Sequence, residues 1–299
     1  MEPPQTHSSE EFKFFAMSDE NELFPRGTAL PKQSPLFWVH NKDRYLRQLL
    51  IRDIETATKR RLIIYYTDCS TTAQVDPNDD TYLAELLGSI KGEPVDLMLE
   101  TNGGYTDATE KIVSILTAMA TDLRVIVPRR AKSNGTVIAL TGREIVMGVH
   151  SELGPIDPNV VLGPGNAVPA DLILKSADKH PPLLAGYASL AVLQTKKLAT
   201  SVLSAGMLAG SEPKVIEEIV NKISTRDHYH SHGSVIDSRE AQQLGLKVCH
   251  LAPDDDLWQR IWLLRTMCEQ DCKMHRTWKL FEGTSISSAI AAPNLPSQS

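Results

Sequence analysis

Ser133 is the side chain in this sequence best placed to do chemistry. It stands in RAKSNGTVIAL (Arg130–Leu140), between a strand-like LRVIVP and an apolar run opened by a glycine. A hydroxyl at such a corner has two uses. It can cap the helix that follows by accepting from a free N–H, or it can be presented as a nucleophile at the helix start. A second corner precedes it by 29 residues: ETNGGYTDA closes another strand-like run with Gly103 and Gly104. Paired glycines let a backbone approach a ligand closely and expose its N–H groups, or they form a plain tight turn. If adjacent parallel strands carry both corners to one sheet edge, the Ser133 hydroxyl and the amides of Gly104 and Asn134 face a common point, with Gly103 completing the cradle. An alcohol beside two amide donors is the equipment of acyl transfer. Each donor is worth roughly 3–4 kcal/mol to the developing oxyanion, and the helix start adds a partial positive charge.

The elements that must position these groups follow from hydrophobic periodicity. RLIIYYTD, VDLMLET, LRVIVP, EIVMG and LKVCHLA read as strands. Helices are expected over Thr81–Ile90, Asp107–Ala120, a short TVIALTG piece, a helical stretch after Ala167, Asp237–Gly245 and Asp254–Lys273. Strands alternating with helices predict an α/β protein with crossover connections on a mostly parallel sheet and a helical C-terminal part. Residues 1–35 and 283–299, rich in proline and polar residues, are read as an N-terminal arm and a tail outside a single domain spanning 36–282.

LMLETNGGYTDA and RAKSNGTVIALTGREIVMGVHSELGPIDP together resemble the Clp-protease and crotonase fold, and most closely the serine dehydrogenase proteinases, relatives of signal peptide peptidase A. The resemblance runs from about Arg47 to Leu251. It implies a serine peptidase in which Ser133 is the nucleophile and Gly104 lies at the oxyanion hole, acting on peptide or protein substrates within a homo-oligomer. Two other readings remain open on the same scaffold: a peptide-binding or assembly module without activity, and a crotonase-like acyl-thioester enzyme.

The resemblance does not supply a base. Clp peptidases place a histidine in the segment after the nucleophile helix, where this chain has Asp157, and the membrane-associated relatives use a lysine near a position that is Ala170 or Asp171 here. A serine hydroxyl needs a partner to take its proton, so His150 and Lys175 are the candidates. Glu152 and Asp157 can orient a base or bind the positive end of a peptide. Lys132 reads as a solvated charge. His228, His230 and His232 alternate in RDHYHSHGS and would share one face of an extended segment, which suits a metal in principle, although a surface loop is the plainer reading.

The remaining composition narrows the class. A net charge of -6 leaves no basic footprint for nucleic acid. The four cysteines form no CxxC pair and read as reduced thiols of a cytoplasmic protein, with Cys268 and Cys272 on one helix face. Trp258, Trp262 and Met267 read as a packing stripe. No apolar run is long enough to span a membrane. No GxGxxG or phosphate-binding loop follows a strand, so neither a nicotinamide nor any other cofactor is expected, and no metal is assigned.

Overall fold

The computed structural model describes residues 34–293 apart from 91, 164 and 165. The arm expected over residues 1–35 therefore lies almost entirely outside the described residues. Among them, seven strands form the main sheet: β1 (Arg61–Thr67), β2 (Pro94–Glu100), β3 (Thr121–Val127), β5 (Glu144–Met147), β9 (Val248–His250), β10 (Thr277–Glu282) and β11 (Ser287–Ala291). Their spatial order is β11-β10-β1-β2-β3-β5-β9. The five strands from β1 to β9 run parallel, and β10 and β11 add antiparallel to the β1 edge.

Alternation along the strands divides the core into two layers. Ile63 and Tyr65 of β1, Leu97 and Leu99 of β2 and Val125 and Val127 of β3 face one side. There they pack against α2 (Asp79–Gly88), α3 (Thr106–Met119), α4 (Asn134–Ala139), α6 (Pro182–Ala205), α7 (Pro213–Ser224) and α8 (Ser238–Gln243). The intervening Ile64, Tyr66, Met98, Ile126 and Val146 face α1 (Pro35–Thr58) and α9 (Asp256–His275). Burying each such side chain stabilises the fold by roughly 1.5–3 kcal/mol, so the alternation commits every strand to one register. Trp258, Cys268 and Cys272 lie in the second layer, as the packing reading of that helix requires.

Four features depart from the sequence reading. The segment expected to be a tail contributes β11, which pairs with β10. β10 escaped notice because Lys279 and Glu282 interrupt its apolar pattern. Both are buried and neutralised from distant elements: Lys279 Nζ lies 2.8 Å from Asp79 and Asp76, and Glu282 accepts from Arg47 Nε at 2.5 Å. Between β5 and α6, an antiparallel pair β7 (Asn159–Gly163) and β8 (Asn166–Pro169) precedes α5 (Ala170–Lys175), and its largely outward side chains gave no core signal. Two short strands, β4 (Arg130–Ala131) and β6 (Glu152–Leu153), pair in parallel beyond the edge of the main sheet.

Under the site, Glu100 at the end of β2 is buried and accepts from Arg265 Nη2 at 2.7 Å and from Nε at 2.8 Å. Burial pushes the Glu100 carboxyl above its usual range, and the guanidinium opposes that shift. Arg265→Leu leaves this carboxylate without its counter-charge and is expected to cost about 3–5 kcal/mol in urea unfolding. Because the folded pKa is raised above the unfolded value, protonated Glu100 favours the folded state, so the loss should shrink as pH falls toward the unfolded carboxyl pKa.

Candidate active site

Ser133 is positioned by a ladder of short strands lying across the carboxyl end of the sheet. Thr101, one residue past β2, bridges Ala131 of β4 in parallel. Its N–H donates to Arg130 O at 3.0 Å, and its carbonyl accepts from Lys132 N at 3.0 Å. Ala131 pairs with Leu153 of β6, and Leu153 in turn pairs antiparallel with Ile236. Thr136 staples α4 to this ladder, donating to Ala131 O at 2.7 Å while its hydroxyl oxygen accepts from Gly154 N at 3.0 Å. The chain must therefore pass from β4 to α4 within two residues.

That sharp passage forces an unusual backbone. Ser133 has φ 54° and ψ -124°, a combination that side-chain-bearing residues rarely adopt and that costs on the order of 1–3 kcal/mol. Although Ser133 occupies the N-cap position of α4, its side chain makes no capping hydrogen bond. The capping use of the hydroxyl is thus ruled out by geometry. The strained strand-to-helix corner instead holds the half-buried Oγ away from the helix amides, the same device by which nucleophilic serines are presented.

The glycine pair meets this corner directly. Gly103 has φ 96°, and a Cβ there would come within 2.8 Å of both Lys132 O and Ser133 Cβ, so no larger residue fits without moving the serine. Gly104 lies against the backbone of Val75, with which it forms a parallel bridge. Val75 N donates to Gly103 O at 2.7 Å, and Val75 O accepts from Tyr105 N at 2.9 Å. This pattern engages the neighbours of Gly104 and turns its own N–H and C=O to the opposite side. The carbonyl is clasped there by Asn134 Nδ2 at 2.6 Å, and the same amide nitrogen reaches Thr106 Oγ1 at 3.2 Å. Among the described residues, neither Gly104 N–H nor Asn134 N–H has an intramolecular hydrogen-bond acceptor. α4 is only six residues long, so these individual amides rather than a helix dipole are the available donors.

The two candidate bases are engaged by other groups. His150 stacks on Trp262 of α9 with ring centroids 4.5 Å apart, toward the layer opposite α4. Lys175 is exposed and sits 2.8 Å from both Asp171 and Asp227, whose hydrogen bonds raise its pKa and keep it protonated. Lys132 is not the solvated charge expected from sequence. Its side chain is largely covered, and Nζ donates to Ser234 O at 2.9 Å and lies 3.2 Å from Glu152. Burial lowers the Lys132 pKa against the opposing pull of Glu152. The three alternating histidines have separate partners. His228 packs edge-on against Tyr229, His230 Nδ1 lies 3.0 Å from Arg226 O, and His232 Nδ1 lies 2.7 Å from Asp157 Oδ1. Among the described residues, the group with ligand atoms close enough for a metal is Asp43, Asp271 and His275 on α1 and α9, where Arg47 already pairs with Asp271.

The family profile of ClpP-like SDH-type serine proteinases matches residues 78–277, two thirds of the chain and both corners of this site. The chain belongs to this family. An uncharacterized protein of Methanocaldococcus jannaschii, MJ0137, is 30% identical over 203 residues, 67% of each protein. A second one from that organism, MJ1495, is 39% identical over 67 residues, 22% of this chain and 23% of its own. Among solved structures, similarity extends to the 1510-N membrane-bound stomatin-specific protease with a substrate peptide. The identity there is 17%, covering 73% of this chain and 83% of that one, with a TM-score of 0.41. ClpP1 of Listeria monocytogenes is similar at 13% identity, covering 66% and 95%, with a TM-score of 0.40.

In this ClpP-like proteinase, what spacing rules missed is the pairing of His232 with Asp157. The two are 75 residues apart and lie on segments that only the ladder brings together. Gly103→Ala gives a direct check of the glycine–serine packing. The variant should fold, as judged by circular dichroism, while the displaced Ser133 reacts with a serine-directed phosphonate about 10²-fold more slowly.

Proposed function

We propose that this chain is a serine peptidase that cleaves peptide bonds by acyl transfer, with Ser133 as nucleophile and the N–H groups of Gly104 and Asn134 receiving the oxyanion. The observation that carries the reading is the Ser133 corner: a strained residue whose hydroxyl does not cap its helix, beside two amides without intramolecular acceptors among the described residues. Strain of this kind persists only where the surroundings over-determine it, and here the Thr101–Ala131–Leu153 ladder and the Gly103 contact do so.

In this reading the scissile carbonyl lies between the two corners. Ser133 Oγ bonds to the carbonyl carbon, and the negative charge that develops on oxygen is met by amides already aimed at it, which need no reorganisation at the moment of reaction. The Asn134 side chain contributes by holding Gly104 O and Thr106, keeping the Gly104 amide in line. Membership of a serine proteinase family supports a peptide rather than a thioester as substrate.

The reading extends to assembly. Leu183, Tyr187, Leu190 and Leu193 form an exposed apolar stripe along the 24-residue helix α6. A stripe of this size on a long helix suits contact with a second copy, so α6 is assigned to homo-oligomer formation. No described helix is long and apolar enough to cross a membrane.

Ser133→Ala should abolish phosphonate labelling and lower peptide hydrolysis by roughly 10³-fold or more. Unchanged hydrolysis in that variant would remove the proposal. For assembly, Leu190→Asp should lower the sedimenting mass in analytical ultracentrifugation while secondary structure is retained. An unchanged mass would take α6 out of the interface.

A further inference from the structure

The glycine corner has a support that begins on β10, far from it in sequence. Phe281 of that strand pairs with Tyr65 of β1 and stacks on Tyr65 and on Tyr82 of α2, with ring centroids 4.8 and 4.9 Å apart. Lys279 lies two residues earlier, so both side chains leave the same face of the strand. The lysine side chain is 3% exposed, and its Nζ donates to Asp79 Oδ1 at 2.9 Å, to Asp79 Oδ2 at 2.8 Å and to Asp76 Oδ2 at 2.8 Å. Asp79 opens α2, and its Oδ2 also accepts from the Tyr65 hydroxyl at 2.5 Å and from Asp76 N at 2.9 Å. One ammonium thus fastens the end of the loop between β1 and α2 to the sheet.

That loop carries the residue against which Gly104 rests. Val75, immediately before Asp76, is buried and bridges Gly104 in parallel, accepting from Tyr105 N at 2.9 Å and donating to Gly103 O at 2.7 Å. The second of these bonds aims the oxyanion donor. In a trans peptide the carbonyl and the N–H point in opposite directions, and Gly103 O and Gly104 N–H belong to one peptide plane. Val75 N therefore fixes that plane by its oxygen and sends the Gly104 N–H the other way, toward the serine side of the corner. Two consecutive glycines turn with little steric resistance, so the direction of this donor is only as firm as the position of Val75. Asn134 Nδ2 holds Gly104 O, which belongs to the next peptide plane and leaves the first one to Val75.

We infer that Lys279 is a positioning residue for the oxyanion hole, acting through Asp76 and Asp79 on Val75 and through Val75 on the Gly104 amide. The inference rests on the peptidase reading above, in which that amide receives the developing charge. Lys279 touches neither the substrate nor the reacting atoms, and no proton passes through it. Its effect is on aim. A donor directed at an oxygen that becomes negative only in the transition state contributes to kcat rather than to KM, so loosening Val75 should slow the chemical step and leave ground-state binding in place. An ion pair that served stability alone would change unfolding and leave this split untouched.

The test compares Lys279→Met, the double variant Lys279→Met/Asp79→Asn and Ser133→Ala with the wild-type protein in peptide hydrolysis and in inhibition by a peptide boronate, which forms a tetrahedral adduct on a serine nucleophile. Lys279→Met should lower kcat by roughly 10- to 10²-fold with KM within about two-fold, and weaken the boronate in step with kcat. Removing the lysine alone strips the counter-charge from Asp79, a carboxyl that burial already pushes above its usual range. The double variant removes both charges, so it should regain thermal stability while keeping the loss in kcat, and it decides the matter if the single variant does not fold. Wild-type kcat and boronate affinity in either folded variant, or a double variant that regains kcat together with stability, overturns the inference and leaves Ser133 as nucleophile. If Ser133→Ala hydrolyses peptides at the wild-type rate, both fall.

Discussion

The site depends on one constraint: a serine held in a backbone conformation it would not choose. The penalty is on the order of 1–3 kcal/mol, a large fraction of the stability of an ordinary domain, so it has to be offset by contacts that cannot relax independently. Three backbone contacts meet that need. Thr101 brackets Ala131 on one side, Leu153 pairs with it on the other, and Gly103 fills the space beneath Ser133 with no Cβ of its own. Remove any one and the serine can settle into an ordinary helix cap.

The wider fold supplies rigidity to that corner rather than chemistry. The strands leading into it are buried on both faces, which is why β1, β2 and β3 read as nearly continuous apolar runs. Their polar exceptions are neutralised inside the protein. Asp96 takes hydrogen bonds from both Arg60 and Arg124, Glu100 is paired by Arg265, and Lys279 by Asp79. These pairs tie β2 to β3, to α9 and to the residue before β1, and β10 to α2. Their contribution is better described as geometric specificity than as net stability, because desolvation consumes much of the Coulombic gain.

Much of this was legible beforehand. The strands RLIIYYTD, VDLMLET and LRVIVP and the helices after them lie within two or three residues of their expected limits, because burial on both faces writes an unbroken apolar signal. The start of α8 at about Asp237 was equally readable, and Asp237 caps it by accepting from Glu240 N at 2.9 Å. β10 was not, because Lys279 and Glu282 look like surface residues until Asp79 and Arg47 are placed beside them, and β11 fell in a segment read as a tail. Lys132 was misjudged for the same reason, since its acceptors lie in a segment a hundred residues away.

By itself the sequence determined the α/β alternation, the family, and the two corners from which an alcohol and two amides are offered, since each of these is encoded within a dozen consecutive residues. Only the tertiary structure decided that Ser133 does not cap its helix, that Lys175 is committed to two aspartates, and that Asp157 meets His232. The reason is physical. Strain at a corner and the pairing of side chains far apart in the chain follow from strand register, and register is set by the cooperative packing of the whole sheet rather than by any local run of residues.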